Sequence, residues 1–194
     1  MKIDFNNYLV YKFLNSLFAG VSIGAIFTIY APIKDPYIYS IGGIALGFGL
    51  LAVAFFYEKI LNIKAYLFIS LLVEVLIFLT IVVILVFKYS YINALFVYIG
   101  YQVSFIFGSY LTRAETIILN NAKKLSLIDI YKQMGYLIGM FCSFVFYKLA
   151  QTLYNINSSE NQVYYIHFVF LTLQILIIIF LLRAFKGRHI DNNS

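Results

Sequence analysis

The sequence has little charge and almost none of the residues that crosslink or bend a chain. Of its 194 residues, 11% are charged, two are proline, one is cysteine and none is tryptophan. A soluble domain carries roughly 25% charged residues, so this composition excludes a water-exposed surface over most of the chain. The single cysteine, Cys142, excludes an internal disulfide and a paired metal site. We expect it to pack as a small side chain.

Motifs for catalysis and for nucleic-acid binding are also missing. There is no G-x-S-x-G, no phosphate-binding loop and no H-E-x-x-H, so we predict neither an enzyme nor a cofactor. The basic residues are scattered between apolar segments rather than interleaved with aromatics, which argues against a nucleic-acid partner. His167 and His189 lack a partner at ligand spacing, so no metal site is predicted.

Long apolar segments dominate instead, with 63% hydrophobic residues and a mean hydropathy of +0.90. Six segments have the length of roughly 17–25 residues that a helix needs to cross a hydrocarbon core of about 30 Å. Open strands cannot satisfy their backbone groups in lipid, and barrel strands are shorter and alternate in polarity. We therefore predict an all-α, polytopic membrane protein, with residues 1–194 forming a single six-helix transmembrane domain in the lipid bilayer. The predicted spans are Val10–Ala31, Ile38–Tyr57, Ala65–Phe87, Ala94–Leu111, Met134–Tyr154 and Val163–Arg183.

The distribution of the basic residues between these spans predicts the orientation. With the amino terminus inside, all but three of the 14 Lys and Arg residues lie on the cytoplasmic side. The exceptions are Lys34, Lys88 and Lys148. This is the positive-inside bias of short loops, and it predicts an inner plasma-membrane protein with both termini in the cytoplasm. Lys148 is expected to extend its side chain outward to the interface.

The longest predicted loop, residues 112–133, mixes apolar and polar residues on the cytoplasmic side. We expect it to form short amphipathic helices that lie on the inner surface of the membrane. No second domain, flexible linker or internal repeat is evident.

Small residues at four-residue spacing mark three of the predicted helices. Such residues let helix backbones approach closely in lipid, where no hydrophobic force drives association. Two interpretations remain open: ordinary packing within one bundle, or surfaces on which helices rock during a functional cycle. The predicted packing residues are Ser16, Gly20, Gly24, Gly43, Gly47, Gly135 and Gly139.

Glu74 is the most unusual residue within a predicted span. Counting about 1.5 Å per residue from Ala65 places it roughly 15 Å deep, where a charge costs on the order of 2.5–3.5 kcal/mol. It should be protonated, paired, or facing water or protein. A proton-carrying or interface role and a neutral, packed side chain both remain open. Gln102 and Gln174 lie at similar depth and are possible partners. The candidate substrate or proton residues are Glu74, Gln102, Gln174, Tyr98 and Ser109.

Two segments carry a resemblance to a known family. The run from Gly108 to Glu115 ends the fourth span with Arg113, and a Gly-containing helix follows a Tyr-containing amphipathic stretch. The loop after the second span has Glu58 and Lys59 as an acidic–basic pair and Lys64 as its last basic residue, although Leu61 stands where the family usually has Gly. In these features the chain resembles the N-terminal six-helix half of a major facilitator superfamily transporter.

The resemblance implies a function and a gate. The family normally has twelve helices with substrate held between two halves, so a six-helix protein is expected to move a small solute as a homodimer or with another subunit. The alternative is a non-transporting scaffold or assembly subunit of a larger complex. The resemblance also implies a cytoplasmic gate in which Glu58 contacts Arg113, with Lys59 and Lys64 beside them.

Overall fold

A computed structural model describes residues 3–87 and 90–186. Lys88 and His189, for which we made predictions, lie outside these residues. The described part contains seven α-helices and no strand, so the predicted all-α class is confirmed. The helices are α1 (Phe5–Tyr30), α2 (Pro36–Phe55), α3 (Tyr57–Ile60), α4 (Ile63–Val86), α5 (Tyr91–Leu119), α6 (Ala122–Thr152) and α7 (Ser159–Phe185).

Polar caps explain where most of the long helices begin. The first backbone N–H groups of a helix have no partner within the helix. In α1, α4, α5, α6 and α7 a preceding Asp, Asn or Ser side chain accepts a hydrogen bond from them. These caps are Asp4, Asn62, Ser90, Asn121 and Ser158.

Five of these helices, α1, α2, α4, α5 and α7, are long and apolar enough to cross a membrane. The sixth long helix, α6, has 31 residues but is not among them. Its first half carries Lys123, Lys124, Asp129 and Lys132. Length and composition therefore establish five potential spans rather than the six that we predicted.

The predicted loop at residues 112–133 is wrong. Helix α5 continues to Leu119 and α6 begins at Ala122, so only Asn120 and Asn121 connect them. Asn120 adopts the left-handed conformation with φ 38°, which asparagine tolerates better than most residues and which ends a helix. Asn121 then caps α6 by accepting a hydrogen bond from the backbone N–H of Lys124. Two adjacent asparagines thus reverse the chain without a longer loop.

The long helices alternate in direction. The backbone N–H of Asp4, before α1, donates to the carbonyl of Ala184 near the end of α7 over 2.8 Å. Tyr8 of α1 contacts Tyr66 near the start of α4 and Glu115 near the end of α5. One end of the bundle, which we call the α1-start end, therefore contains the starts of α1, α4 and α6 and the ends of α2, α5 and α7.

The main contacts divide the six long helices into two units. In the first unit, α1 packs against α6 and α7; in the second unit, α5 packs against α2 and α4. The units meet where α4 packs against α7 and, over a smaller area, where α1 approaches α5. Exchanging α1 with α5, α6 with α2 and α7 with α4 reproduces this pattern. The two halves of the chain thus pack against corresponding partners, although the α1–α6 contact is much more extensive than the α2–α5 contact and no repeat is evident in the sequence.

Candidate functional site: a polar seam between the two units

Glu74 is buried between the units and is surrounded by hydrogen-bond donors. Its side chain lies on α4 and is 1% exposed. Oε1 accepts hydrogen bonds from the Tyr11 hydroxyl at 3.0 Å and from Asn15 Nδ2 at 2.9 Å. The amide of Gln174 on α7 donates to Oε2 at 2.8 Å and to the Glu74 carbonyl oxygen at 2.9 Å. Glu74 therefore faces protein on both sides rather than lipid.

A buried ion pair lies nearer the α1-start end. Lys12 Nζ of α1 is 3.0 Å from Glu115 Oε1 of α5, and both side chains are largely buried. The hydroxyl of Tyr8 donates to the same carboxylate oxygen and lies 2.6 Å from the hydroxyl of Tyr66. The ammonium group also lies 5.3 to 5.9 Å from the ring centroids of Tyr8, Tyr11 and Tyr66, within the range of a cation–π attraction.

These interactions form one zone, which we call the polar seam, and they cross between the two units. Both carboxylates belong to the second unit, and the side chains that donate to them or pair with them belong to the first unit. Buried polar groups are stable only when they find such partners, so the seam holds the two units in one relative position. Its members are Tyr8, Tyr11, Lys12, Asn15, Tyr66, Glu74, Glu115 and Gln174.

The other candidate residues lie elsewhere. Gln102 is on α5 and lines an apolar groove against α2, where its Oε1 has no hydrogen-bond partner among the described residues. Tyr98 is buried, and its hydroxyl lies 3.4 Å from the Tyr39 carbonyl oxygen. Ser109 is exposed on α5. Of the predicted candidates, the structure therefore joins Glu74 to Gln174 by hydrogen bonds, whereas Tyr98 and Gln102 line the groove against α2.

The predicted contact between Glu58 and Arg113 is wrong. No ion pair joins them in the described part of the chain, and the Arg113 guanidinium stacks on the ring of Tyr57 at 5.2 Å. Lys59 lies over the ring of Phe56 at 6.0 Å. Lys64 is exposed at the start of α4. The bulky aromatic residues at the end of α2 offer ring faces to these cations, so aromatic contacts replace the proposed gate.

The small residues of α1 and α6 do meet. A Cβ atom added to Gly20 would collide with the Tyr136 carbonyl oxygen, and one added to Gly135 or Gly139 would collide with carbonyl oxygens of α1. The two helices therefore touch through their backbones. Gly24 instead faces the ring of Tyr147, and Ser16 is partly exposed.

Gly43 and Gly47 are not packing positions within this chain, contrary to the prediction. Apart from the adjoining backbone of α2, no atom of the described residues lies within 4 Å of a Cβ added to either glycine. The glycines of α2 that contact α5 are Gly42, against Tyr98, and Gly49, against Ile106. Successive residues point about 100° apart around a helix, so Gly43 and Gly47, one and five positions after Gly42, point roughly 100° and 140° away from its direction and hence away from α5.

Sequence reasoning missed most of the polar seam. Tyr8, Tyr11, Lys12 and Asn15 follow one another at three-, four- and seven-residue spacing, which places them on one helix face. On α4, Ser70 and Tyr66 precede Glu74 by one and two turns. The signal was therefore present as two polar faces within apolar helices. The pairing of Lys12 with Glu115 could not be found in this way because it joins distant helices. The seam residues that sequence reasoning missed are Tyr8, Tyr11, Lys12 and Asn15 of α1, Tyr66 of α4 and Glu115 of α5.

A buried histidine and a cavity at one end of the bundle lie outside the polar seam. His167 is buried on α7, with Nδ1 2.5 Å from the Val163 carbonyl oxygen, and no group of three metal-ligating side chains occurs among the described residues. A cavity of about 520 Å³ opens at the end of the bundle opposite the α1-start end. Its lining is mainly aliphatic and includes Ile29, Val97 and Val163.

The chain was compared with protein-family models, curated proteins and solved structures. It matches none of them.

Proposed function

We propose that this chain is a half-size, transporter-like membrane protein that moves a small solute together with a second copy or another subunit. Its six long helices form one half of a bundle of the major facilitator type. Such halves are built from two three-helix repeats with equivalent positions. The observation that carries the proposal is that exchanging the first three long helices (α1, α2 and α4) with the last three (α5, α6 and α7) reproduces the pattern of principal helix contacts.

The same contacts support α6 as a sixth span. Gly135 packs against Phe13, and Gly139 packs against Leu17, so α6 runs alongside α1 in the same direction. Because α1 is long and apolar enough to cross a membrane, the adjoining part of α6 lies at the same depth. With about 1.5 Å per residue, α6 is roughly 46 Å long, so its charged first half extends beyond a hydrocarbon core of about 30 Å.

The charges favour one orientation. Most basic residues of the described helices lie toward the α1-start end, including Arg113, Lys123 and Arg183. Lys34 and Lys148 lie toward the opposite end. Under the positive-inside rule the α1-start end is cytoplasmic, which fits an integral plasma (inner) membrane protein with both termini in the cytoplasm.

A cysteine-labelling experiment tests whether one face of the bundle is lined by water. In a Cys142→Ser background, Ser109→Cys is expected to react with a membrane-impermeant thiol reagent from the cytoplasmic side. Lys123→Cys and Asp35→Cys report the two sides of the membrane. Labelling of position 123 from outside would overturn the threading.

Phe68→Cys is the matched control for depth. Tyr66 and Glu115 both bond to Tyr8, so they lie at one level. Phe68 lies two residues beyond Tyr66 on α4, and Ser109 lies six residues before Glu115 on α5. Phe68 is therefore closer than Ser109 to the level of Tyr8, and hence nearer the cytoplasm in the proposed orientation. Phe68 is 67% exposed on α4 and is expected to face lipid and stay unlabelled. If Ser109→Cys stays unlabelled as well, the half-transporter proposal loses its water-lined face.

A second candidate is a non-transporting scaffold or assembly subunit. It is favoured by α2, which has no buried residue and leaves Gly43 and Gly47 without a neighbour. Small residues on an exposed helix face permit close approach of another helix. Purification in mild detergent is the first step in separating the two candidates: a pair of identical chains supports the homodimeric transporter. If a stable foreign subunit is found instead, labelling of Ser109→Cys in that complex supports a transporter completed by the subunit, and no labelling supports the scaffold.

A further inference from the structure

The polar seam contains an unequal number of opposite charges. Its ionisable carboxyl groups are Glu74 and Glu115, and its cation is Lys12. Lys12 is 3.0 Å from Glu115, so this pair is complete. No Lys, Arg or His of the described residues forms an ion pair with Glu74. The seam therefore has one carboxyl group more than it has cations.

The neighbours of Glu74 are neutral donors. Tyr11, Asn15 and Gln174 each donate one hydrogen bond to its carboxyl group. Hydrogen bonds orient a carboxylate and lower its energy, but they do not balance its charge. A side chain that is 1% exposed, about 17 Å along α4 from its start, cannot draw a counterion from water at its surface.

Two buried oxygen atoms on α4 and α7 have no hydrogen-bond partner among the described residues. One belongs to Gln174, which bonds to Glu74, and the other belongs to Ser70, one helical turn before Glu74. Gln174 is 0% exposed, and its Oε1 has no partner although its Nε2 bonds to Glu74. Ser70 lies one turn before Glu74 on α4, is 1% exposed, and its Oγ has no partner among the described residues. Oxygen atoms of carboxylate, amide and hydroxyl groups are the ligands that hard cations prefer.

Other titratable groups do not supply the missing charge. Those that contact the polar seam from the helices packed around Glu74 are Tyr8, Tyr11 and Lys12 on α1, Tyr66 on α4 and Glu115 on α5, and His167 lies on α7. The tyrosines are neutral in their usual state, and Lys12 is paired. His167 lies two turns from Gln174 on the same face of α7 and contacts the Val163 carbonyl oxygen and the Phe170 ring.

We propose that the Glu74 carboxyl group, together with the unpartnered Ser70 Oγ one turn before it and the unpartnered Gln174 Oε1, is a binding site for one monovalent cation. The shared chemistry is a single positive charge held by oxygen, supplied by a proton or by a small metal cation such as Na⁺. The site does not depend on the proposed transport function. In a transporter it would bind the coupling ion, and in a scaffold it would be a structural ion site.

Infrared spectroscopy of the purified protein in lipid nanodiscs tests the site directly. In Na⁺-free buffer at neutral pH, the wild type is expected to show a protonated carboxyl C=O band that Glu74→Gln lacks. Asp129→Asn removes an exposed carboxylate on α6 and is expected to leave the band unchanged. If NaCl abolishes the band and choline chloride does not, the site takes a metal cation. If the band persists in both salts, the bound cation is a proton.

A second variant keeps the test decisive if Glu74→Gln fails to fold. Ser70→Ala removes one unpartnered oxygen and leaves the carboxyl group in place. It is expected to keep the band in Na⁺-free buffer and, where Na⁺ binds, to weaken the response to NaCl. Absence of a protonated band in the wild type together with absence of any Na⁺-dependent change overturns the proposal. Because the readout is binding, that result is distinct from failure of the labelling at position 109.

Discussion

The two faces of α1 hold the protein together in different ways. Toward α6, Gly20 and Gly139 bring the two backbones into contact. Toward α4, α5 and α7, Lys12 and Tyr11 reach carboxylates of the second unit. In lipid the hydrophobic effect does not drive helices together, so close packing and hydrogen bonds must do so. One helix uses the first means inside its own unit and the second means between units.

This difference predicts opposite responses to mutation. Helices α1 and α6 can touch because the glycines at their contact carry no Cβ atom, so adding a methyl group there should weaken the contact. The polar seam depends on particular polar atoms, so removing one should weaken it while leaving the shape almost unchanged.

The largest expected effect comes from removing the cation of the buried ion pair. Lys12→Met keeps the length of the side chain but leaves Glu115 buried without its positive partner. Breaking a buried pair in this way costs about 3–5 kcal/mol. We expect the free energy of unfolding, measured by SDS titration of the protein in mild detergent, to fall by about that amount.

The double variant Lys12→Met/Glu115→Leu is the control for this prediction. Replacing both members of a buried pair by apolar residues is often neutral or even stabilising, so most of the lost stability should return. A double variant that is as unstable as the single one would show that Lys12 acts through its aromatic contacts with Tyr8, Tyr11 and Tyr66 rather than through Glu115.

The helices of this protein could largely be predicted from sequence, and so could the demand of Glu74 for a partner. The length of each apolar run predicts the helices, and the cost of a charge in lipid predicts that Glu74 needs a partner. The partner Gln174 was among the candidates because its depth could be counted along α7. Depth along a helix is thus readable from sequence.

Rotation about the helix axis is not readable in the same way. Gly42 contacts α5 and Gly43 contacts nothing, yet both belong to the same small-residue cluster. Gln102 was placed near Glu74 by depth, but its helix turns it toward α2. The contacts of Glu115, two residues after Arg113, were missed for the same reason. Packing of all the helices together decides these rotations, and no single segment contains that information.

A smaller effect is expected at the glycine contact. Gly139→Ala would place Cβ against the Leu17 carbonyl oxygen and the Gly20 Cα, and such overpacking typically costs 1–3 kcal/mol. Part of this is offset because alanine favours a helix over glycine by about 1 kcal/mol. We expect a net loss of up to about 2 kcal/mol in the SDS titration. Gly47→Ala, which meets open space, should cost nothing; equal losses at both positions would refute the backbone contact.

The smallest expected effect concerns a single hydroxyl of the polar seam. Tyr11→Phe removes the donor that lies 3.0 Å from Glu74 Oε1 and leaves the ring in place. Hydrogen bonds between membrane helices contribute on average about 0.6 kcal/mol, so a loss of that size is expected in the same titration. Tyr147→Phe is the matched control, because the Tyr147 hydroxyl is buried without a partner among the described residues. Removing an unsatisfied polar group should be neutral or stabilising. Both variants lose a tyrosine hydroxyl, so the comparison depends only on which variant loses more stability. If Tyr147→Phe lost as much stability as Tyr11→Phe, the hydroxyl of Tyr11 would contribute nothing particular to holding the two units together.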